Sequence, residues 1–307
     1  MVAIRSGLYF CLILLPGLAA FPLYALRRFE RNDDAVMPLR GTLAIIAVSS
    51  LALSSIGFLV LIASMTGNPI FEPDWETSRA ILSESAIGTA WLVRIGALFT
   101  VLAALLYCRA NARRLAATTL AGAVALSTLV WTGHAGAGEG GLGLLHKSSD
   151  VLHMLAAAVW LGGIAAFLLL MRPSPDQMPA DHIVIAHRSL EQFSLVGTIC
   201  VSIIAITGLV NGQILVGFSN VSDLPGSPYG QLLIAKLVLV GLMLLLAAKN
   251  RWRLTPSLRA AITQGETALA INTLRKSLML EAGAAAAILV LVAWLGMLEP
   301  TTSMPMA

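Results

Sequence analysis

The chain has 307 residues, of which 57% are hydrophobic and only 12% charged, and its mean hydropathy is +0.83. A soluble domain carries about 25% charged residues, so this chain has too little charge to cover a water-facing surface and too much apolar content for disorder. The formal charge of +4 is spread over several short segments, which points to membrane topology and away from nucleic acid.

Aromatic residues make up only 6% of the chain, too few for the aromatic girdles of a membrane β-barrel. The expected class is all-α, a polytopic membrane protein. Eight runs reach the about 20 apolar residues needed to cross about 30 Å of hydrocarbon, at 7–26, 41–63, 88–107, 115–133, 149–171, 193–215, 229–248 and 280–298. Arg5 before the first run and Leu23-Tyr24-Ala25 near its end give it the look of a signal peptide. Arg27 and Arg28 follow at once, as they do after a membrane anchor, so the run reads as a span.

The charge pattern tests this count. With the N-terminus outside, fifteen lysines and arginines fall in the inward segments and three (Arg5, Arg79 and Lys147) in the outward ones. Every loop agrees with the positive-inside rule, which predicts eight spans with both termini periplasmic and residues 1–307 as a single integral membrane domain. The longest gap, 249–279, is basic and carries an apolar pattern that includes Leu258, Ile262, Leu274 and Leu278. Helical segments lying on the cytoplasmic surface are expected there. His182 and His187 are expected in a solvated inward loop. Cys11, Cys108 and Cys200 stand far apart and read as small packing residues. No phosphate-binding glycine motif is present, and no nucleophile–base arrangement stands out, so neither ATP-driven pumping by this chain alone nor an enzyme is expected.

Polar groups inside a membrane are costly and mark function by default. His134 closes the fourth span, His146 ends a glycine-rich stretch, and Asp150, His153 and Met154 open the fifth span. If the fifth helix begins near His146, then His146, Asp150 and His153 stand at i, i+4 and i+7 on one face. His134, at the end of the preceding antiparallel helix, can reach that face. Imidazole suits Cu, Zn, Fe and Ni, and a thioether adds a preference for Cu(I). Together these residues form a candidate transition-metal site, in which Asp150 serves as a ligand or as an acceptor that orients an imidazole. Arg94 and Lys236 lie about 10 Å into their spans from the outer side, with Glu84 and Asp150 as candidate counter-charges. The tail holds Met304-Pro305-Met306, a possible soft-metal acceptor.

The stretch Ser149-Asp150-Val151-Leu152-His153-Met154-Leu155-Ala156-Ala157-Ala158-Val159-Trp160-Leu161-Gly162-Gly163 resembles the D-x-x-H-x-x-A-A-x-x-W-x-G-G signature of the CopD family of bacterial inner-membrane copper-resistance proteins. Thr132-Gly133-His134-Ala135, Trp91-Leu92 with Arg94, Tyr229-Gly230 with Lys236, and Lys249-Asn250-Arg251 agree with the family in order. The ending Leu298-Glu299-Pro300 departs from the more Pro-rich one expected. The resemblance covers essentially the whole chain and implies eight spans. It also implies copper import from periplasm to cytoplasm beside a separate periplasmic copper-binding protein of the CopC type, since no such domain is fused here. It carries over to His134, Asp150 and His153; His146 and Met154 rest on spacing. The alternative, from a different class, is a membrane redox protein with one haem gripped by His134 and His153 and its propionates met by Arg94 or Lys236.

Overall fold

Long runs of Leu, Ala, Ile and Val can cross a bilayer only with every backbone hydrogen bond made within the segment, which forces them into helices. In the computed structural model, which describes residues 1–33, 36–133, 136, 138–173 and 178–298, eleven α-helices occur among the described residues. They are α1 (Val2–Ala25), α2 (Arg28–Arg31), α3 (Leu39–Thr66), α4 (Trp75–Glu84), α5 (Ala86–Tyr107), α6 (Asn111–Ser127), α7 (Gly140–Leu170), α8 (Ala180–Leu215), α9 (Pro228–Lys249), α10 (Thr255–Gln264) and α11 (Ala268–Leu295). Eight helical segments are long and apolar enough to cross a membrane, in the order and number expected. No strand occurs among the described residues.

Helix α1 stands at the centre, against α3, α6, α7, α8 and α11. Its Leu12, Leu15, Ala19 and Phe21 are fully buried. The approach of α1 to α7 is set by glycine: a Cβ on Gly17 would lie 2.0 Å from the Ala158 carbonyl oxygen, and one on Gly162 would lie 2.2 Å from Gly17 C. Small residues at such a crossing let the backbones touch, which substitutes for the hydrophobic drive that lipid removes. The next residue, Gly163, serves the other neighbour, since a Cβ there would meet the Phe193 ring of α8 at 2.2 Å.

The two ends of the bundle differ. At the end where α1 begins, the termini side, Arg5 Nη1 donates to the Gly296 carbonyl at 2.9 Å and ties α1 to the end of α11. Between α3 and α5 on the same side, α4 starts at Asp74, whose carboxylate accepts from the backbone N–H groups of Glu76 and Thr77. Phe71 and Trp75 there are 94% and 78% exposed, as aromatic residues at a membrane interface are. At the opposite, basic side, Arg188 of α8 pairs with the buried Glu30, and Arg275 of α11 donates to the carbonyls of Met171 and Pro173.

Three helices begin nine or more residues before their expected bounds. Helix α7 begins at Gly140 (φ 64°), nine residues before the expected span, because Gly140 takes the left-handed turn that starts it. Helix α8 begins at 180 and α11 at 268, where spans at 193 and 280 are expected. Continuous apolar length misses these first turns because they alternate polar residues with buried ones, and Ile183, Leu190, Ile271 and Leu274 pack them into the core. His182 and His187 are therefore helical and not in a loop: His182 Nε2 bonds the Leu170 carbonyl at 2.7 Å and His187 faces Glu191 at 3.8 Å. The basic gap at 249–279 is likewise mostly helix, with α9 running through a π turn at Asn250–Leu254 into α10.

Candidate metal centre

The early start of α7 places His146 inside the helix, so His146, Asp150 and His153 do stand at i, i+4 and i+7. His146 is buried, and Asp150, His153 and Met154 are half-buried. His134 and the tail from Glu299 onward, with Met304 and Met306, lie outside the described residues. Among the described residues no three of His, Cys, Asp and Glu gather closely enough to hold a metal ion by themselves.

What faces α7 at this level is a polar stripe on α8. Ser149 Oγ donates to the Thr207 backbone carbonyl at 3.2 Å, and His153 Nδ1 meets Thr207 Oγ1 at 2.9 Å. One turn on, Asn211 Nδ2 donates to Asp150 Oδ1 at 2.7 Å. The helices run antiparallel, so residues 150 and 153 on one meet 211 and 207 on the other.

These bonds assign the imidazole tautomer. Thr207 Oγ1 spends its proton on the Ile203 carbonyl at 2.6 Å, so toward the ring it can only accept. His153 Nδ1 is therefore the protonated nitrogen, and the neutral ring carries its lone pair on Nε2. A ring locked in this way by a partner on its far nitrogen is the arrangement found behind metal-binding histidines. Asp150, oriented by Asn211, supplies a carboxylate one turn away. Met154 packs against the apolar core of the bundle.

The two intramembrane cations differ, for Lys236 reaches the stripe whereas Arg94 is held between α3, α5 and the turn after α6. Lys236 of α9 lies within electrostatic range of both Asp150 and His153, and the buried Tyr229 within range of Asp150. Lys236 thus balances the carboxylate on the α8–α9 side. Arg94 is 4% exposed and is held by hydroxyls: Nε donates to Thr128 Oγ1 at 2.8 Å and Nη1 to Ser54 Oγ at 3.4 Å. Glu84, a counter-charge expected from sequence, is exposed on the surface helix α4 and makes no ion pair with Arg94. It stands before α5 begins, while Arg94 lies more than two turns inside. Trp91 Nε1 donates to the Ser54 carbonyl at 3.1 Å and stacks on Phe58, which fixes α5 against α3 beside Arg94.

Sequence reading finds Asp150 and His153 and misses their partners Thr207 and Asn211. They stand four residues apart and so share one face, but Ser194, Thr198 and Ser202 repeat that spacing in the same span, so spacing alone does not single them out.

Comparison with known proteins gives a consistent answer. Residues 187–295 match the family described as copper resistance protein D, and residues 1–144 match the copper resistance protein D-like N-terminal domain. The polar face of α7 from His146 onward lies between the two matched stretches. Copper resistance protein D of Pseudomonas syringae pv. tomato is 37% identical over 300 residues, covering 97% of this chain and 96% of that one. Inner membrane protein YebZ of Escherichia coli (strain K12) is 29% identical over 233 residues, 75% of this chain and 74% of that protein. Copper transport protein CutJ of Bacillus subtilis (strain 168) is 31% identical over 185 residues, 58% of this chain and 32% of that protein. No solved structure matches.

Proposed function

Because the chain belongs to the copper resistance protein D family and serves copper homeostasis in a membrane, we propose that it captures copper ions on the termini side of the bundle and passes them across the inner membrane. The observation that carries this reading is the His153 ring, locked by Thr207 with its lone pair on Nε2, one turn from a carboxylate positioned by Asn211. His146, from the same face, and His134 complete the proposed ligand set. Imidazole nitrogens are ligands of moderate softness that suit copper in either common oxidation state, and Met154 adds a thioether where Cu(I) is the cargo. Lys236 offsets Asp150 in the absence of cargo and gives way electrostatically when a cation arrives.

Charge gives the orientation, and inward transport is the direction proposed with it. The basic end, with Arg188, Arg251, Arg253 and Arg275, is assigned to the cytoplasm by the positive-inside rule, so the ligand face opens to the periplasm, where copper is captured on this reading. A separate periplasmic copper-binding protein of the CopC type is the proposed donor. On this reading the protein is a multi-pass inner-membrane carrier and not an enzyme, and lipid is its only permanent surround.

The test is copper uptake into proteoliposomes holding the full chain, beside His153→Ala, with an absorption spectrum of the same colourless or coloured sample. Uptake that is lost in His153→Ala, from a colourless protein, supports the carrier. Haem absorption that disappears with the same substitution, without uptake, overturns it in favour of a redox protein with His134 and His153 as axial ligands.

A further inference from the structure

The carrier reading leaves one buried charged group unused. Glu281 of α11 is 2% exposed, on the basic-side half of the bundle and far from the α7 stripe. Its partner is Asn250, 8% exposed, whose Nδ2 donates to Glu281 Oε1. Asn250 opens the π turn at Asn250–Leu254, and Thr255 Oγ1 donates at 2.9 Å to the Asn250 carbonyl, which the wider turn displaces from its normal helical partner. π turns within helices recur at functional sites.

Helices α1, α7, α9 and α10 and the π turn pack against α11, and their charged groups are engaged elsewhere. Arg251 bonds Thr198 and the Ser194 carbonyl on α8, Arg259 faces Glu191 at 4.0 Å, and Arg275 bonds the Met171 and Pro173 carbonyls. Lys249, Arg253 and Lys276 are exposed. At the basic end of α1 the titratable group is Tyr24, whose hydroxyl is buried without a hydrogen bond. The basic-side half of α7, residues 155–170, carries no titratable side chain. Among the described residues no cation lies within 4.0 Å of Glu281.

A second observation points the same way. Asn250 Oδ1 is buried and has no donor, a state that costs about 1–3 kcal/mol. An ionised Glu281 can only accept, so it leaves the buried Asn250 oxygen without a donor. A neutral Glu281 has one proton to give, and an acid facing a primary amide can exchange one bond in each direction.

We propose that Glu281 and Asn250 form a proton-binding site on the basic side of the bundle, in which Glu281 holds its proton as a neutral acid hydrogen-bonded to the Asn250 amide. When Glu281 ionises, its O–H bond breaks, the carboxylate keeps the electron pair and the proton passes to water at the basic face. The site stands on its own geometry; its use as a counter-charge to passing cations rests on the carrier reading.

The experiment is infrared spectroscopy of the full chain in lipid, without copper, comparing wild type with Glu281→Gln. Glutamine keeps both hydrogen bonds, so the fold is retained. The difference spectrum is expected to contain one neutral carboxylic acid C=O band that shifts in D2O and is lost in the variant. Asn250→Leu leaves Glu281 in place and is expected to move the same band to higher frequency, as it loses its amide partner. A difference spectrum with only ionised carboxylate bands overturns the proposal, as does a band that Asn250→Leu leaves unmoved. Because no copper is present, failure of this proposal leaves the carrier reading standing, and loss of uptake in His153→Ala says nothing about Glu281.

Discussion

The two halves of α7 are built on opposite rules. From Gly140 to Met154 its buried face is polar, and Ser149, Asp150 and His153 take side-chain or backbone partners from α8. From Leu155 to Leu170 the buried face is Ala156, Ala158, Trp160, Gly162 and Phe167, with no titratable group. Gly162 admits α1 and Gly163 admits Phe193 of α8, so the second half fixes where α7 stands. The lesson is that one short sequence signature mixes chemistry with carpentry. Its Asp and His make the polar face on which the proposed copper site rests, and its paired glycines hold the helix that presents them.

That division can be broken at either end. The largest effect is expected from Gly162→Leu, which drives a side chain into the α1 backbone. Overpacking costs about 1–3 kcal/mol where neighbours are flexible, and here they are backbone, so the loss is about 3 kcal/mol or more, read as failure to purify folded protein or a large drop in Tm. His153→Ala comes next and acts in the other sense. The fold and Tm survive while copper affinity falls by more than about 100-fold, since loss of an outer partner alone costs about 10–100-fold; equilibrium titration measures it. Thr207→Val keeps the shape but removes the acceptor for Nδ1–H, and copper affinity is expected to fall about tenfold, with uptake at saturating copper largely kept.

The smallest effect lies outside both halves, at the start of α4. The Thr77 hydroxyl and then the Thr77 and Glu76 amides hold the Asp74 carboxyl below its ordinary range. A group lowered in this way contributes stability that is present above its unfolded pKa of about 4 and is lost as pH falls through the lowered value. Asp74→Asn keeps an accepting oxygen and removes that acid sensitivity. Hydrogen exchange of the α4 amides at acidic pH is expected to become flat in the variant, with copper affinity unchanged.

Much of this was legible in the sequence. Eight apolar runs separated by arginine-rich turns leave few alternatives to an eight-helix bundle, and the spacing of Asp150 and His153 places both on one face of α7. Helix ends were less legible, because continuous apolar length misses turns that alternate polar residues with buried ones, as the first turns of α8 and α11 do. The partners of the site were least legible. Thr207 stands 54 residues from His153 and Asn211 stands 61 from Asp150, so only the packing of α8 on α7 reveals them. Glu281 lies inside the eighth apolar run but was not singled out there, and its pairing with Asn250 depends on the π turn.

The central claim is that copper is held by the polar face of α7. X-ray absorption at the copper edge, on the purified full chain loaded with one equivalent of copper, tests it most directly. The account predicts imidazole scattering that diminishes in His153→Ala while Gly163 and its packing neighbours are untouched. An identical copper spectrum in wild type and His153→Ala would contradict it, and would move the copper site away from this helix.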